Sequence, residues 1–278
     1  KPSGERADSP LERPGVPVIQ MIFAGGNEDD WRDNLSGLSA RDIAMNVALP
    51  EVDGRIISRA VSFKAEARYD AVTQSPVIAY RGVADRIEFV CDLAANWLTL
   101  AATKAADRRL TLIFANYPNK DGRLGNGVGL DSPASALNLL QALDGAGYDV
   151  GGLPDKGDDL IRRLAAGPTN DLTDRAQRRG GLKYCVSDYQ TFFASLPADL
   201  REQVHQRWGP AEDDPFVVGD DFVFAAFHQG NVVIGLQPAR GYHIDPKASY
   251  HDPDLVPPHG YLAFYGWLRR EVGVQAVI

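Results

Sequence analysis

Three of the chain's five histidines, His243, His251 and His259, lie in one stretch, GYHIDPKASYHDPDLVPPHGY (241–261). Imidazole and carboxylate are the common ligands of divalent transition metals, with imidazole suiting cobalt, nickel and zinc. Asp245 stands between the first two histidines, so His243, Asp245 and His251 form a candidate metal set. The regular spacing of eight matches neither HExxH nor a compact zinc signature. Pro246, Pro253, Pro257 and Pro258 stiffen the segment and reduce the entropy lost on holding ligands. Arg240 and Lys247 are cations for an anionic substrate, and the arginine can fork onto a carboxylate. An ordered surface loop whose histidines cap backbone groups fits the same residues, so metal binding, acid–base work and a structural role all stay open.

Two further stretches carry candidate chemistry. The glycine-rich ANYPNKDGRLGNGVGLDSPAS (115–135) offers Asn116, Arg123, Asn126 and Asp131 as polar lining. It contains no GxxxxGK[ST] string, and GxGxxG fails because residue 130 is Leu130, so nucleotide phosphate is not its expected ligand. Its glycines serve either positive φ and close packing or the approach of a non-nucleotide ligand. LPEVDGRI (49–56) places Glu51 and Asp53 near the end of an expected strand that breaks at Pro50. Alternation would put both carboxylates on one side, where like charge raises one pKa and makes a base; a solvated acidic turn is the plainer reading.

These residues need elements to hold them. VPVIQMIFAGG (16–26) reads as a buried parallel strand, followed by a short helix that Ser39 can cap. Residues 84–109 have helical spacing, with Ile87, Val90, Leu93, Ala94, Trp97 and Leu98 on one face. LTLIFANYP (110–118) is the next buried strand, and a helix follows from about 133 to 146. Short helices are expected around 187–208, then two β runs joined at Gly230–Asn231 as a hairpin. A last helix ends at Gly273, and the final GVQAVI reads as a buried strand. Trp31, Trp97, Trp208 and Trp267 are expected in the core, and RAQRRGG (175–181) on a solvated or partner-facing surface. The pattern predicts an α/β fold of Rossmann-like strand–helix units with a parallel sheet, plus a second region containing a β-hairpin. The expected divisions are a flexible lead-in (1–15), an α/β domain (16–150) and a second α/β region (151–278).

Composition narrows the function classes. The chain has 278 residues, is 44% hydrophobic and carries a formal charge of -8, so a nucleic-acid surface is not expected. Cys91 and Cys185 form no CxxC motif, which suits a reducing, cytoplasmic setting. No apolar run is long enough for a membrane helix, and no signal peptide is visible. The linker-like start and the ending inside an expected strand suggest an internal piece of a longer polypeptide.

Taken together, PEVDGRIISRAVSFK, the glycine-rich stretch with its following helix, and VVIGLQPARGYHIDPKASYHDPDLVPPHGYLAFYGWL resemble one family. It is that of the large, porphyrinoid-binding subunits of aerobic ATP-dependent cobaltochelatase and the related H subunit of magnesium chelatase. The resemblance implies insertion of Co²⁺, as substrate, into hydrogenobyrinic acid a,c-diamide during cobalamin synthesis. It implies ATP hydrolysis by an AAA+ ATPase and a second motor subunit rather than by this chain. It implies His243, Asp245 and His251 as metal ligands, Glu51 or His259 as acceptor of ring protons, and Arg240, Lys247 and Arg123 as anchors for peripheral carboxylates. The family continues into an HxGxHGxxEW-type segment, so a chain ending at Ile278 is expected to be catalytically incomplete. The histidine-rich segment favours cobalt, since Mg²⁺ prefers oxygen ligands. A magnesium chelatase H subunit acting on protoporphyrin IX, a tetrapyrrole- or metal-binding module without turnover, and a metal-dependent hydrolase are the competing readings.

Overall fold

A computed structural model describes residues 16–35, 37–116, 121–242 and 254–278. The chain divides into two units, one ending at Ala102 and the other running Thr103–Ile278. The division expected near residue 150 therefore falls earlier, because strands from either side of that point belong to one sheet.

The first unit is built on strands β1 (Ile19–Ala24), β2 (Ile56–Asp70) and β3 (Ser75–Gly82), in that order across the sheet. β1 and β2 are parallel, and β2 and β3 form an antiparallel hairpin. The hairpin turn is tied by the Asp70 carboxylate, which accepts from the backbone N–H groups of Val72 and Thr73. Between β1 and β2 run α1 (Glu28–Asp33), α2 (Ala40–Ile43), a π-helical turn (Ala44–Ala48) and α3 (Leu49–Val52). Ser39 caps α2 as expected, its hydroxyl accepting from the Asp42 N–H.

The strand expected to break at Pro50 is instead helix. Pro50 sits in the first turn of α3, where its missing N–H is tolerated, directly after the π-turn. The core of this unit is small: Ile22, Ala24, Ala60 and Phe63, packed by Trp31, Leu38 and Val47. β1 is only half buried, since Met21 and Phe23 stay exposed. α4 (Ala84–Ala102) closes the unit; of its expected apolar face only Val90 is buried, and Ile87, Trp97 and Leu98 are exposed.

The second unit centres on β4 (Leu110–Phe114). Connected to it in chain order are α5 (Ser132–Gly145), α6 (Gly157–Ala165), β5 (Leu182–Cys185), α7 (Val186–Ala194) and α8 (Ala198–Trp208). Then come β6 (Val217–Val218), β7 (Asp221–Phe224), β8 (Ala226–Gln229), β9 (Val232–Leu236), α9 (His259–Trp267) and β10 (Ala276–Val277). One sheet has the order β10-β4-β9-β8, with β10, β4 and β9 mutually parallel and β8 antiparallel to β9. The β8–β9 turn is the expected hairpin at Gly230–Asn231, Gly230 having φ +59. A second, antiparallel sheet has the order β5-β7-β6.

Period-two alternation sends β4 and β9 side chains into two cores. Leu110, Leu112, Phe114, Val232, Ile234 and Leu236 pack with Leu140 of α5 and Leu160 and Leu164 of α6. Val233, with Ile113 beside it, faces the other way, toward Phe264 and Trp267 of α9, Tyr189 of α7 and Phe222 and Phe224 of β7. The terminal strand is an edge: Val277 and Ile278 are half exposed, not buried as expected. The last helix does end at Gly273, which has φ +63 after a π-helical turn (Leu268–Val272).

The helix pair α5–α6 depends on backbone contact at Gly157. A Cβ there would lie 2.1 Å from the carbonyl oxygen of Pro133. Gly157→Ala is expected to lower unfolding free energy by about 1–3 kcal/mol, as overpacking does, or more where backbone must move. Urea unfolding measures this, and an unchanged midpoint would contradict the close approach.

Candidate functional site

In open α/β sheets, ligands bind beyond the carboxyl ends of parallel strands. β4 and β9 present such ends side by side, Phe114 opposite Leu236. From β4 the chain enters the glycine-rich loop. Asn116 is 3% exposed, and neither its amide oxygen nor its amide nitrogen has a hydrogen-bond partner. A buried amide without partners is costly, so its oxygen and nitrogen are open to a water or a ligand. The loop is braced from behind: Thr169 Oγ1 donates to Asp121 at 2.6 Å, and Arg178 pairs with both Asp121 and Asp174. Hydrogen bonding to Asp121 holds the Arg178 guanidinium above its ordinary pKa. Gly125, at φ +65, lies against Phe114 and Ile161 and lets the loop fold onto the strand end. Arg123 and Asn126 remain exposed on this loop. Asp131 caps α5 instead of lining a site, accepting from the Ala134 N–H.

From β9 the chain passes Gln237, whose N–H donates to the Phe114 carbonyl. The Gln237 side-chain amide donates to the hydroxyls of Tyr261 and Tyr265 on α9, at 3.3 and 3.2 Å. The main-chain carbonyl of Gln237 accepts from the Asn170 side-chain amide. Burial pushes the Tyr265 phenol up to about 12, so the hydroxyl stays protonated at neutral pH. Arg240, next along, is exposed.

The chain then turns inward at Tyr242. Its hydroxyl donates to the Asp214 carboxylate, which also accepts from the N–H groups of Phe216 and Gly260. Desolvation pushes Asp214 up to about 6 in spite of these bonds. Arg175, 2% exposed, rests on the Phe216 ring and donates to the Pro168 carbonyl. Burial lowers its guanidinium to about 10. This buried cation corrects the expectation that the whole 175–181 run is surface. Among the tryptophans, Trp267 is buried, Trp31 and Trp208 are half buried, and Trp97 is exposed.

His259, at the start of α9, is 1% exposed. Its Nε2 lies 3.0 Å from the Gly209 carbonyl and its Nδ1 2.6 Å from the Tyr189 hydroxyl. A carbonyl only accepts, so Nε2 carries the proton and Nδ1 accepts from the tyrosine. Both nitrogens are thus engaged, and the placement is that of a core histidine with no lone pair for a substrate proton. Glu51 is exposed on α3 and Asp53 caps that helix, paired with Arg55 at 3.6 Å; the strand-borne carboxylate pair does not form. His243, Asp245, Lys247 and His251 lie outside the described residues. Among the described residues there is no group of three His, Cys, Asp or Glu side chains placed to hold a metal. No described helix is long and apolar enough to cross a membrane.

A family model described as CobN/Magnesium Chelatase matches residues 1–278. The chain belongs to this family. It is 50% identical to the aerobic cobaltochelatase subunit CobN of Sinorhizobium sp, over 100% of this chain and 22% of that protein. It is 48% identical to the subunit of the same description from Pseudomonas aeruginosa, over 96% of this chain and 21% of that one. A solved structure described as the catalytic subunit of cobaltochelatase from Mycobacterium tuberculosis superposes with a TM-score of 0.76 at 38% identity. That match covers 94% of this chain and 22% of the solved one. The chain thus spans about a fifth of the length of these CobN relatives.

Asp214, Arg175, Gln237 and the tyrosines of α9 were not singled out from sequence. One carboxylate among the seven Asp and Glu residues of 199–221 carries no spacing signal; burial alone distinguishes it.

Burial lowers the His259 pKa below its ordinary 6.5. A depressed folded pKa means stability is full above the unfolded value and is lost as pH falls below it. Between about pH 7 and pH 5.5 the chain should therefore lose stability through His259. His259→Gln is expected to be less stable at neutral pH yet to lose less on acidification, as measured by urea unfolding at both pH values. Asp214 titrates with the opposite sign in both proteins and cancels in the comparison.

Proposed function

We propose that the chain is part of the large subunit of an ATP-dependent cobaltochelatase that inserts Co²⁺ into hydrogenobyrinic acid a,c-diamide. The observation that carries this reading is 50% identity, over all of this chain and 22% of the relative, to a protein described as aerobic cobaltochelatase subunit CobN. The carboxyl-end site supports it: an unpartnered buried amide at Asn116, with exposed Arg123, Asn126 and Arg240 on the neighbouring loops, suits a ligand rich in amides and carboxylates.

In this reading His243, Asp245 and His251 hold the partly desolvated metal substrate, since imidazole accepts Co²⁺ readily. Lys247, Arg240 and Arg123 anchor carboxylates of the ring, and Asn116 and Asn126 bind its amides. The resemblance implies Glu51 or His259 as acceptor of ring protons. His259 was the alternative acceptor, but its occupied nitrogens make it a structural residue instead. An AAA+ ATPase and a second motor subunit hydrolyse ATP and drive product release, in keeping with the missing phosphate-loop string. The reaction runs in a cytoplasmic setting, which the free thiols of Cys91 and Cys185 suit.

Replacing His243 and His251 together by alanine in the full-length subunit, assayed with its motor partners, is expected to abolish cobalt insertion. Binding of the tetrapyrrole, followed by absorbance, should survive. Normal insertion by the double variant would reject the ligand set. Tighter binding of protoporphyrin IX than of the corrinoid precursor, with magnesium inserted, would move the chain to the magnesium branch.

A further inference from the structure

Strands β7 and β8 are one run of chain that changes sheets at a bend, Ala225. β5 pairs antiparallel with β7 as far as Leu182 opposite Phe224. Carried further in that register, the chain preceding Leu182 would run along β8. Gly181 and Gly180, with φ +82 and +92, turn it away instead. A Cβ on Gly181 would clash with the Phe224 carbonyl oxygen, so only glycine fits this turn. β8 is left as the outer strand of the sheet β10-β4-β9-β8. Its register fixes which groups face outward. Leu236 N–H donates to the Ala225 carbonyl, so Ala225, Phe227 and Gln229 are the residues that bond to β9. The main-chain N–H and C=O of Ala226 and His228 point the other way, and none of these four groups has a partner among the described residues. A groove of about 480 Å³ follows this bare edge, lined by Ala225–His228, by Gly180–Leu182 and by the end of α6. Two arginines line it and no carboxylate does. Arg163 lies over the Phe227 ring at 4.0 Å, and Arg179 is exposed. Neither forms an ion pair with a described residue, whereas the adjacent Arg162 and Arg178 both do.

We propose that β8 accepts an acidic, extended segment of a partner protein as a fifth strand of this sheet, its carboxylates meeting Arg163 and Arg179. Bonds to the main chain of Ala226 and His228 supply the docking, and the arginines select the charge. Edge strands are ordinarily blunted by charged residues or proline on the strand itself. β8, with the sequence AFHQ, has no Lys, Arg, Glu, Asp or Pro, and the cations come from its surroundings. In a chain of formal charge -8, a groove of this sign is a local exception. A small anion would engage the guanidinium groups and leave the strand edge bare, so the outward main-chain groups favour a peptide. Nothing in this contact depends on which metal the protein handles.

The test uses the full-length subunit and a fluorescein-labelled peptide of alternating glutamate and valine, followed by fluorescence anisotropy. Saturable binding that weakens with added salt is expected. Two further peptides are N-methylated, one at every valine and the other at every glutamate. A strand added at an edge pairs through one side only, so one of them should lose about tenfold or more in affinity while the other keeps it. The analogue with lysine for glutamate should not bind. Arg163→Glu together with Arg179→Glu, both at exposed positions, is expected to weaken binding about tenfold. His228→Pro removes an outward N–H without taking a bond from β9 and should also weaken it. Should that variant fail to fold, the methylated peptides decide the same point. Full affinity in both methylated peptides overturns strand addition, and equal binding of the lysine analogue overturns the selection of charge. No saturable binding to the full-length subunit, as when another of its own segments already covers β8, overturns the whole.

Discussion

Strand β4 pairs with β9 in parallel register, Leu110 with Val232 through Phe114 with Leu236, across more than a hundred residues of intervening chain. Closing so long a loop costs entropy before any contact returns it. The return comes from both faces at once. Leu112 and Ile234 enter one core, and Val233 enters the other. Because the strands are parallel, the glycine-rich loop and the 237–242 segment leave from the same end. Without that pairing, Asn116 and Gln237 would have no common frame.

The second cost is burial of polar groups. Asp214, Arg175 and His259 are each nearly inaccessible, and desolvation moves each pKa toward its neutral form: the acid up, the two bases down. None is left bare. Asp214 accepts from Phe216, Gly260 and Tyr242; Arg175 donates to main-chain carbonyls, though its Nε stays unpaired. Arg175 lies on the Phe216 ring and His259 against Tyr189 and Phe193, while Asp214 is closed in by Phe216, Tyr242 and Gly260. Such groups specify a packing more sharply than apolar ones, because any rearrangement strands them.

Much of the second unit could be read from its residues. The apolar runs at 110–114 and 232–236, the Gly230–Asn231 turn and the Gly273 cap all carry local signals that the fold obeys. Pro50 misled because proline marks a strand's end and a helix's first turn equally well. Glu51 and Asp53 went with it, since their expected pairing needed strand alternation. The stripe on α4 shows another limit: Ile87 and Leu98 have the spacing of a buried face, yet periodicity states which residues align and not what covers them. His259 illustrates the same gap at a candidate site. Its neighbours Tyr189 and Gly209 are distant in sequence, so nothing local announces that its ring is already spoken for.

The π-turn at Ala44–Ala48 gives Glu51 a particular orientation. Leu49 N–H reaches back five residues to Ala44, and Pro50 follows with no N–H to offer. Excising one residue there would restore ordinary α-helical bonding upstream and swing everything downstream by about 100° around the axis. A single-codon deletion at this point changes which way Glu51 faces far more than it changes length. The same deletion in the turn between β2 and β3 would only shorten a hairpin.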